Sequence, residues 1–432
     1  MHYIPNTPQD QAEMLATLGV STVQELFGEI PESLRLRAEL DLPPALAEPE
    51  VFKLLRSLAA QNDNAEDVSL FLGAGTYDHY IPSAVKHILG RSEFYTAYTP
   101  YQAEISQGTL QAIYEYQTMI CNLTGMDVAN ASMYDGATAM VEGVLMAGAI
   151  TKRTKVVLPA SVHPEYRQVL HTYLALQGWE LATQIDRDTA AVVVQYPNFF
   201  GQVDTSILAL AEQVHAQGAL LIVVANPIAL GLLKPPGEFG ADIVCGEGQV
   251  LGNPMGFGGP HLGYLACRTE YMRRLPGRIV GATKDLEGTK GYVLTLQTRE
   301  QHIRRQKATS NICSNQSLNA LAATVYLSLM GPTGLRKVAT DSTQKAHYLY
   351  ERLLEIEGVT PGLPGPFFHE FTVQVAADPE ELNQRLIGYG IIGGLPLKRF
   401  YPELANQILF CVTERRTKEE LDYLAQVLEG LL

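Results

Sequence analysis

Apolar residues follow two alternating rhythms along this chain, and the alternation predicts its architecture. Short, largely apolar runs at 156–158, 191–195, 221–224, 241–245 and 262–267 read as buried strands. Between the first three, stretches 164–177 and 205–217 carry helical spacing. Strands alternating with helices imply a mainly parallel sheet covered on both faces. Leu110, Ile113, Tyr114, Gln117, Ile120 and Leu123 also recur at helical spacing, and that helix should stop at Gly125. An apolar helix follows residues 129–138 and runs to about Ile150.

The two ends read differently. Thr7-Pro8-Gln9-Asp10 is a helix start, with the helix running to about Gly19. Ser21 to Gln24 reads as a capping box for a second short helix. The proline-rich stretch 40–50 is extended, and a helix begins at 51. Past Gln316 a long helix over 334–358 leads into a smaller unit. There, strands 371–375 and 408–412 flank a helix that starts at Asp378-Pro379. Thr417 and Glu420 cap a last helix with the stripe Leu421, Leu424, Val427, Leu428, Leu431. The expected organisation is an N-terminal helical and extended arm (1–60), a large α/β domain (61–315) and a small α+β domain (316–432).

Composition narrows the function. A net charge of -14 argues against nucleic acid and against an anionic membrane surface. No apolar run approaches the ~20 residues of a membrane span. The first fifteen residues lack the basic and apolar regions of a signal peptide. Five cysteines without short spacing read as reduced core thiols in a cytoplasmic protein, and no metal is expected. Gly73-Ala74-Gly75 does not open a dinucleotide site, because Asp78 stands where the third glycine belongs.

Three stretches carry chemistry. From Gly246 to Gly263, seven glycines fall in eighteen residues after a buried strand, which lets backbone come close to a neighbour or ligand. Residues 94–108 pack Tyr95, Tyr98 and Tyr101 with Thr96, Thr99 and Gln102 around Pro100, amphipathic rings suited to a pocket or interface. Residues 296–313 hold Arg299, Arg304, Arg305 and Asn311 in a locally basic segment able to clamp a carboxylate or an acidic partner. All three resemble the glycine cleavage system P-protein family, as does Tyr77-Asp78-His79-Tyr80-Ile81-Pro82. The likeness runs along nearly the whole chain.

The resemblance implies a fold-type I large domain of the pyridoxal-phosphate (PLP) superfamily, with a vestigial cofactor site. Aligned on residues 256–260, the family's His-Lys-Thr positions hold Gly248, Gln249 and Val250. An amide nitrogen cannot form the aldimine that PLP chemistry needs. No lysine lies between Lys234 and Lys284. Around Val223, where such enzymes place an acid for the pyridinium nitrogen, none is present. Asp135 sits where a helix N-terminus would receive the cofactor phosphate. The chain therefore resembles the lysine-lacking first subunit of a two-subunit P-protein, with no catalytic residue and no covalent cofactor of its own. Its implied partners are a second subunit bearing the lysine and PLP, glycine, and the lipoyl H-protein. Two other readings are a self-sufficient PLP enzyme using Lys234, Lys284 or Lys290, and a purely structural or regulatory pseudoenzyme.

Overall fold

The computed structural model describes residues 5–36 and 40–432, and the chain forms two compact units, Met1–Asp63 and Asn64–Leu432. In the first, the helix Pro8–Leu18 starts at Thr7, whose hydroxyl accepts from the Asp10 amide at 3.2 Å while Asp10 accepts from the Thr7 amide at 2.6 Å. Gly19, at φ 72°, ends it. The second capping arrangement differs from expectation. The residue reaching back to Ser21 and Thr22 is Glu25 rather than Gln24, and the segment Val23–Phe27 is a 3-10 turn. The segment starts one residue later than expected, with Thr22 at its cap, so Glu25 and not Gln24 is the third residue in. The helix Glu48–Ala59 follows, its start fixed by the Ala47 amide donating to Glu50. No described residue of this unit is buried, so its helices do not cover their apolar side chains against one another.

The larger unit is built on a seven-stranded sheet. In spatial order the strands are Glu180–Ala182, Lys155–Val157, Thr189–Tyr196, Leu220–Ala225, Ile243–Glu247, Gly263–Cys267 and Val128–Ala129. The first five run parallel, and Gly263–Cys267 is antiparallel to both neighbours. The near-continuous apolar character of the inner strands Thr189–Tyr196 and Leu220–Ala225 follows from burial on both faces. Leu221, Val223 and Ala225 face one core layer with Tyr326 and Leu335, whereas Leu220, Ile222 and Val224 face the other with the helix Gly136–Thr151.

The long helix begins earlier than the sequence suggests, spanning Ser317–Leu354, with a break at Gly331 (φ 57°) beside Pro332. Its first part packs on the helix Gln107–Thr124, which stops at Gly125. The C-terminal sheet orders Val359–Pro361, Glu370–Val375, Gln407–Cys411 and Leu395–Pro396, all antiparallel, with helices Pro379–Ile387 and Lys418–Leu431. This small layer also recruits Ser69–Leu70, which pairs in parallel with Ile391–Ile392, and Phe71, which is fully buried in the same core. A segment preceding the large sheet in sequence thus packs with the last hundred residues.

Cysteine placement corrects one expectation. Cys245, Cys267 and Cys411 are buried, but Cys121 is half-buried and Cys313 is exposed. Cys313 lies in the polar 296–313 segment, where the neighbouring side chains are hydrogen-bonding groups rather than core.

Candidate functional site

The glycine-rich loop leaves the C-terminal end of Ile243–Glu247, and its first residues are fixed by polar contacts. Gln249 is 2% exposed. Its Oε1 accepts from the Tyr77 amide at 3.3 Å, while its Nε2 donates to the carbonyls of Asn253 at 2.6 Å and Tyr77 at 3.4 Å. The carboxamide thus acts as a clip between the loop and the segment around Tyr77. Gln249→Ala should cost about 1–3 kcal/mol by stranding the Tyr77 amide and two carbonyls, as urea denaturation would show.

Beside this clip lies a cavity lined by Tyr77, His163, Tyr166, Asn226, Glu247 and Val250. His163 is buried, with Nε2 donating to the Ala74 carbonyl at 2.8 Å and Nδ1 accepting from the Glu165 amide at 3.2 Å. Burial pushes its pKa down, which agrees with a neutral ring. From the central strand, Val224, Ala225 and the following Asn226 line the cavity, while Val223 is fully buried in the core. Asp135 caps Gly136–Thr151, accepting from the Thr138 amide at 2.8 Å. Glu247 accepts from the Gly136 amide at 3.0 Å and from the amides of Gln249 and Leu262, both at 2.9 Å. Its Oε2 also lies 3.2 Å from His261 Nδ1, a contact that raises the histidine's pKa. These residues do not fit PLP: Gln249 presents a carboxamide and no amine, no acid follows the central strand, and carboxylates hold the helix N-terminus. Lys234, Lys284 and Lys290 do not line the cavity, and the last two sit opposite each other on a hairpin formed by Ile279–Lys284 and Lys290–Thr295.

The aromatic and basic stretches meet at one buried residue. Tyr95, Tyr98 and Tyr101 are 57%, 81% and 51% exposed. Thr96 and Gln102 are also exposed, and Thr99 is half-buried. Arg278 is 6% exposed and donates to the Cys313 carbonyl at 2.8 Å and the Tyr101 hydroxyl at 3.3 Å. Its guanidinium lies over the Tyr101 ring at 5.7 Å, and Glu300 is 3.8 Å from its Nε. The His302 ring stands edge-on to Tyr101, 5.7 Å away, and 3.6 Å from Glu300. Arg299 is taken up by the carbonyls of Leu275 and Gly277. Arg304 makes one bond, to the Thr298 carbonyl at 3.1 Å, and is exposed, as are Arg305 and Asn311. The sequence singled out neither Arg278 nor Glu247 as a site residue. The overlooked signal for Glu247 is an acid closing a buried apolar strand.

The Tyr77 motif is bolted to the small layer. Asp78 pairs with Arg415 at 2.6 Å and Arg416 at 3.1 Å, and burial still raises its carboxyl pKa. Among the described residues no group of histidine, cysteine and acids is arranged to hold a metal ion.

Sheet order, flanking helices and the small C-terminal layer define a fold-type I architecture. The solved Lactobacillus brevis glutamate decarboxylase, at 14% identity, shares that fold over 95% of this chain and 97% of its own, with a TM-score of 0.67. The family model for the glycine cleavage system P-protein matches residues 1–428. A "probable glycine dehydrogenase (decarboxylating) subunit 1" of Carboxydothermus hydrogenoformans is 55% identical over 100% of both chains. A crystal structure of glycine decarboxylase (P-protein) of the glycine cleavage system, in inhibitor-bound form, is 46% identical with a TM-score of 0.92, covering 100% of each chain. The chain belongs to the glycine cleavage system P-protein family.

Proposed function

We propose that this chain is the lysine-free subunit of a two-subunit glycine decarboxylase. A second subunit brings the lysine and PLP, and the pair decarboxylates glycine and passes the aminomethyl group to the lipoyl arm of the H-protein. The observation that carries this reading is Gln249: the cofactor-lysine position holds an amide engaged as a backbone clip. PLP in the partner supplies the electron sink for loss of carbon dioxide. This chain's role is to wall that site. The exposed Tyr95 and Tyr98, with Arg304, Arg305 and Asn311, are the groups free to reach a neighbour. Tyr101 is oriented from below by Arg278.

The N-terminal unit supports an obligate partner. Leu18, Phe27, Leu34, Leu42, Phe52 and Leu55 are each more than half exposed. Apolar surface on that scale is stabilised when another chain covers it. We place the complex in the cytoplasm. All five cysteines are free, and among the described residues no helix is long and apolar enough to cross a membrane.

The purified chain should catalyse no exchange between glycine carboxyl and bicarbonate until the second subunit is added. Full exchange by this chain alone refutes the assignment. In the complex, Tyr98→Ala should lower turnover about tenfold, near 1.4 kcal/mol of barrier, with assembly by size-exclusion unchanged. Unchanged turnover would instead favour a structural subunit whose residues stay outside the partner's site.

A further inference from the structure

Three backbone amides and one imidazole converge on a single carboxylate at the start of the helix Gly136–Thr151. Glu247 Oε2 takes the Gly136 amide at 3.0 Å and faces His261 Nδ1 at 3.2 Å. Its Oε1 takes the amides of Gln249 and Leu262, each at 2.9 Å. A helix N-terminus with free peptide N–H groups and a nearby imidazole donor is an anion site by construction. Here the anion comes from the chain itself. The approach depends on Gly136, where a Cβ would stand 2.8 Å from the Glu247 amide nitrogen and 2.2 Å from the Tyr166 hydroxyl. Asp135 takes the Thr138 amide of the same turn at 2.8 Å.

We infer that Glu247 is a built-in anion filling a phosphate cradle, so that this subunit completes its fold without a ligand and shuts phosphorylated ligands out of that cradle. The inference rests on the lysine-free reading above and adds a second barrier to it. Restoring an amine at position 249 alone does not restore cofactor binding, because a phosphate would have to displace a carboxylate that already satisfies four donors. Removing the carboxylate leaves the donors in place and exposes a site for a small oxyanion, with inorganic phosphate as the simplest probe.

The test uses the intact chain. Glu247→Ala should melt lower than wild type in chloride buffer and recover by several degrees in millimolar inorganic phosphate, measured against chloride at equal ionic strength. Wild type should show no phosphate-specific shift. Glu247→Gln keeps the side chain's shape and loses its charge, so it carries the same comparison should the alanine variant fail to fold. In a second arm, Gln249→Lys alone, treated with PLP and borohydride, should yield no pyridoxyl group at position 249 on peptide mapping. Gln249→Lys combined with Glu247→Ala should yield one. Labelling of the single variant, labelling of the double variant no greater than of the single, or the lack of any phosphate-specific shift in the Glu247 variants overturns the inference. Labelling of a lysine in the wild-type chain would instead overturn the lysine-free reading, so the two failures are distinct.

Discussion

Arg278→Ala should destabilise the chain by about 3 kcal/mol and cut turnover of the assembled complex at least tenfold. Arg278 and the Glu300 carboxylate are both largely buried, so losing Arg278 leaves that carboxylate only Arg299 and His302 as nearby cationic or polar partners. Breaking a buried pair from one side typically costs ~3–5 kcal/mol. The 3.8 Å separation is loose, which puts the expected value at the low end. The same substitution removes the bond to the Cys313 carbonyl and the cation over the Tyr101 ring. Tyr101 and residues 296–313 should then exchange their amide hydrogens faster. Arg278→Lys keeps a charge but not a planar fork that can serve carbonyl, hydroxyl and ring together, so about half the loss should remain. Arg304→Ala is the contrast. That residue is exposed and makes one backbone bond, so stability should change by less than about 0.5 kcal/mol while turnover falls. A complex of Arg278→Ala with wild-type stability and turnover would contradict this account of the wall.

What could be read from the sequence divides by the range of the interactions. Asp135, Thr7, Asp378 and Thr417 cap their helices as the sequence suggests, because each bond spans two or three residues. That position 249 carries a carboxamide is equally legible, since a side chain's functional group needs no fold to be known. What Gln249 does instead was not legible: its partner Tyr77 is 172 residues away. Glu247 reaches Gly136 across 111 residues, and Phe71 joins a core made by the last hundred. The central strand shows a subtler limit. Apolar on both faces, it carries no alternation to mark which residues approach the cavity, and the structure gives that role to Val224 and Ala225. The 3-10 turn at Val23–Phe27 and the exposed Cys313 belong to the same group, because backbone tightness and local polarity settle them rather than residue type. The fold class follows from periodicity, whereas the clips that shape the site are long-range polar contacts.

The stability of the small layer should depend on pH through Glu370. This residue is 4% exposed, accepts from the Ala74 amide at 2.6 Å and the Tyr77 hydroxyl at 2.8 Å, and has its pKa pushed up by burial to about 7. The folded value lies above the unfolded one, near 4.5, so the folded state binds the extra proton between them. Stabilisation from Glu370 is complete below about 4.5, fades as pH rises towards 7, and is absent above, a swing of about 3 kcal/mol. His369, 3.9 Å from Glu370, works the other way: burial and His79 lower its pKa, so its contribution is lost as pH falls below about 6.5. Wild type minus Glu370→Gln isolates the carboxyl, because the variant keeps His369. Urea denaturation at several pH values should show the variant gaining on wild type from about pH 5 to pH 7, with no further gain above. Parallel curves would mean that Glu370 titrates alike folded and unfolded. The carboxyl holds the Ala74–Tyr77 segment, and Tyr77 is the residue that Gln249 clips, so the same proton bears on the glycine-rich loop. A Tyr77→Phe variant, which loses the hydroxyl but keeps the backbone clip, should raise the carboxyl's pKa further and extend the sloping region of the stability curve to higher pH.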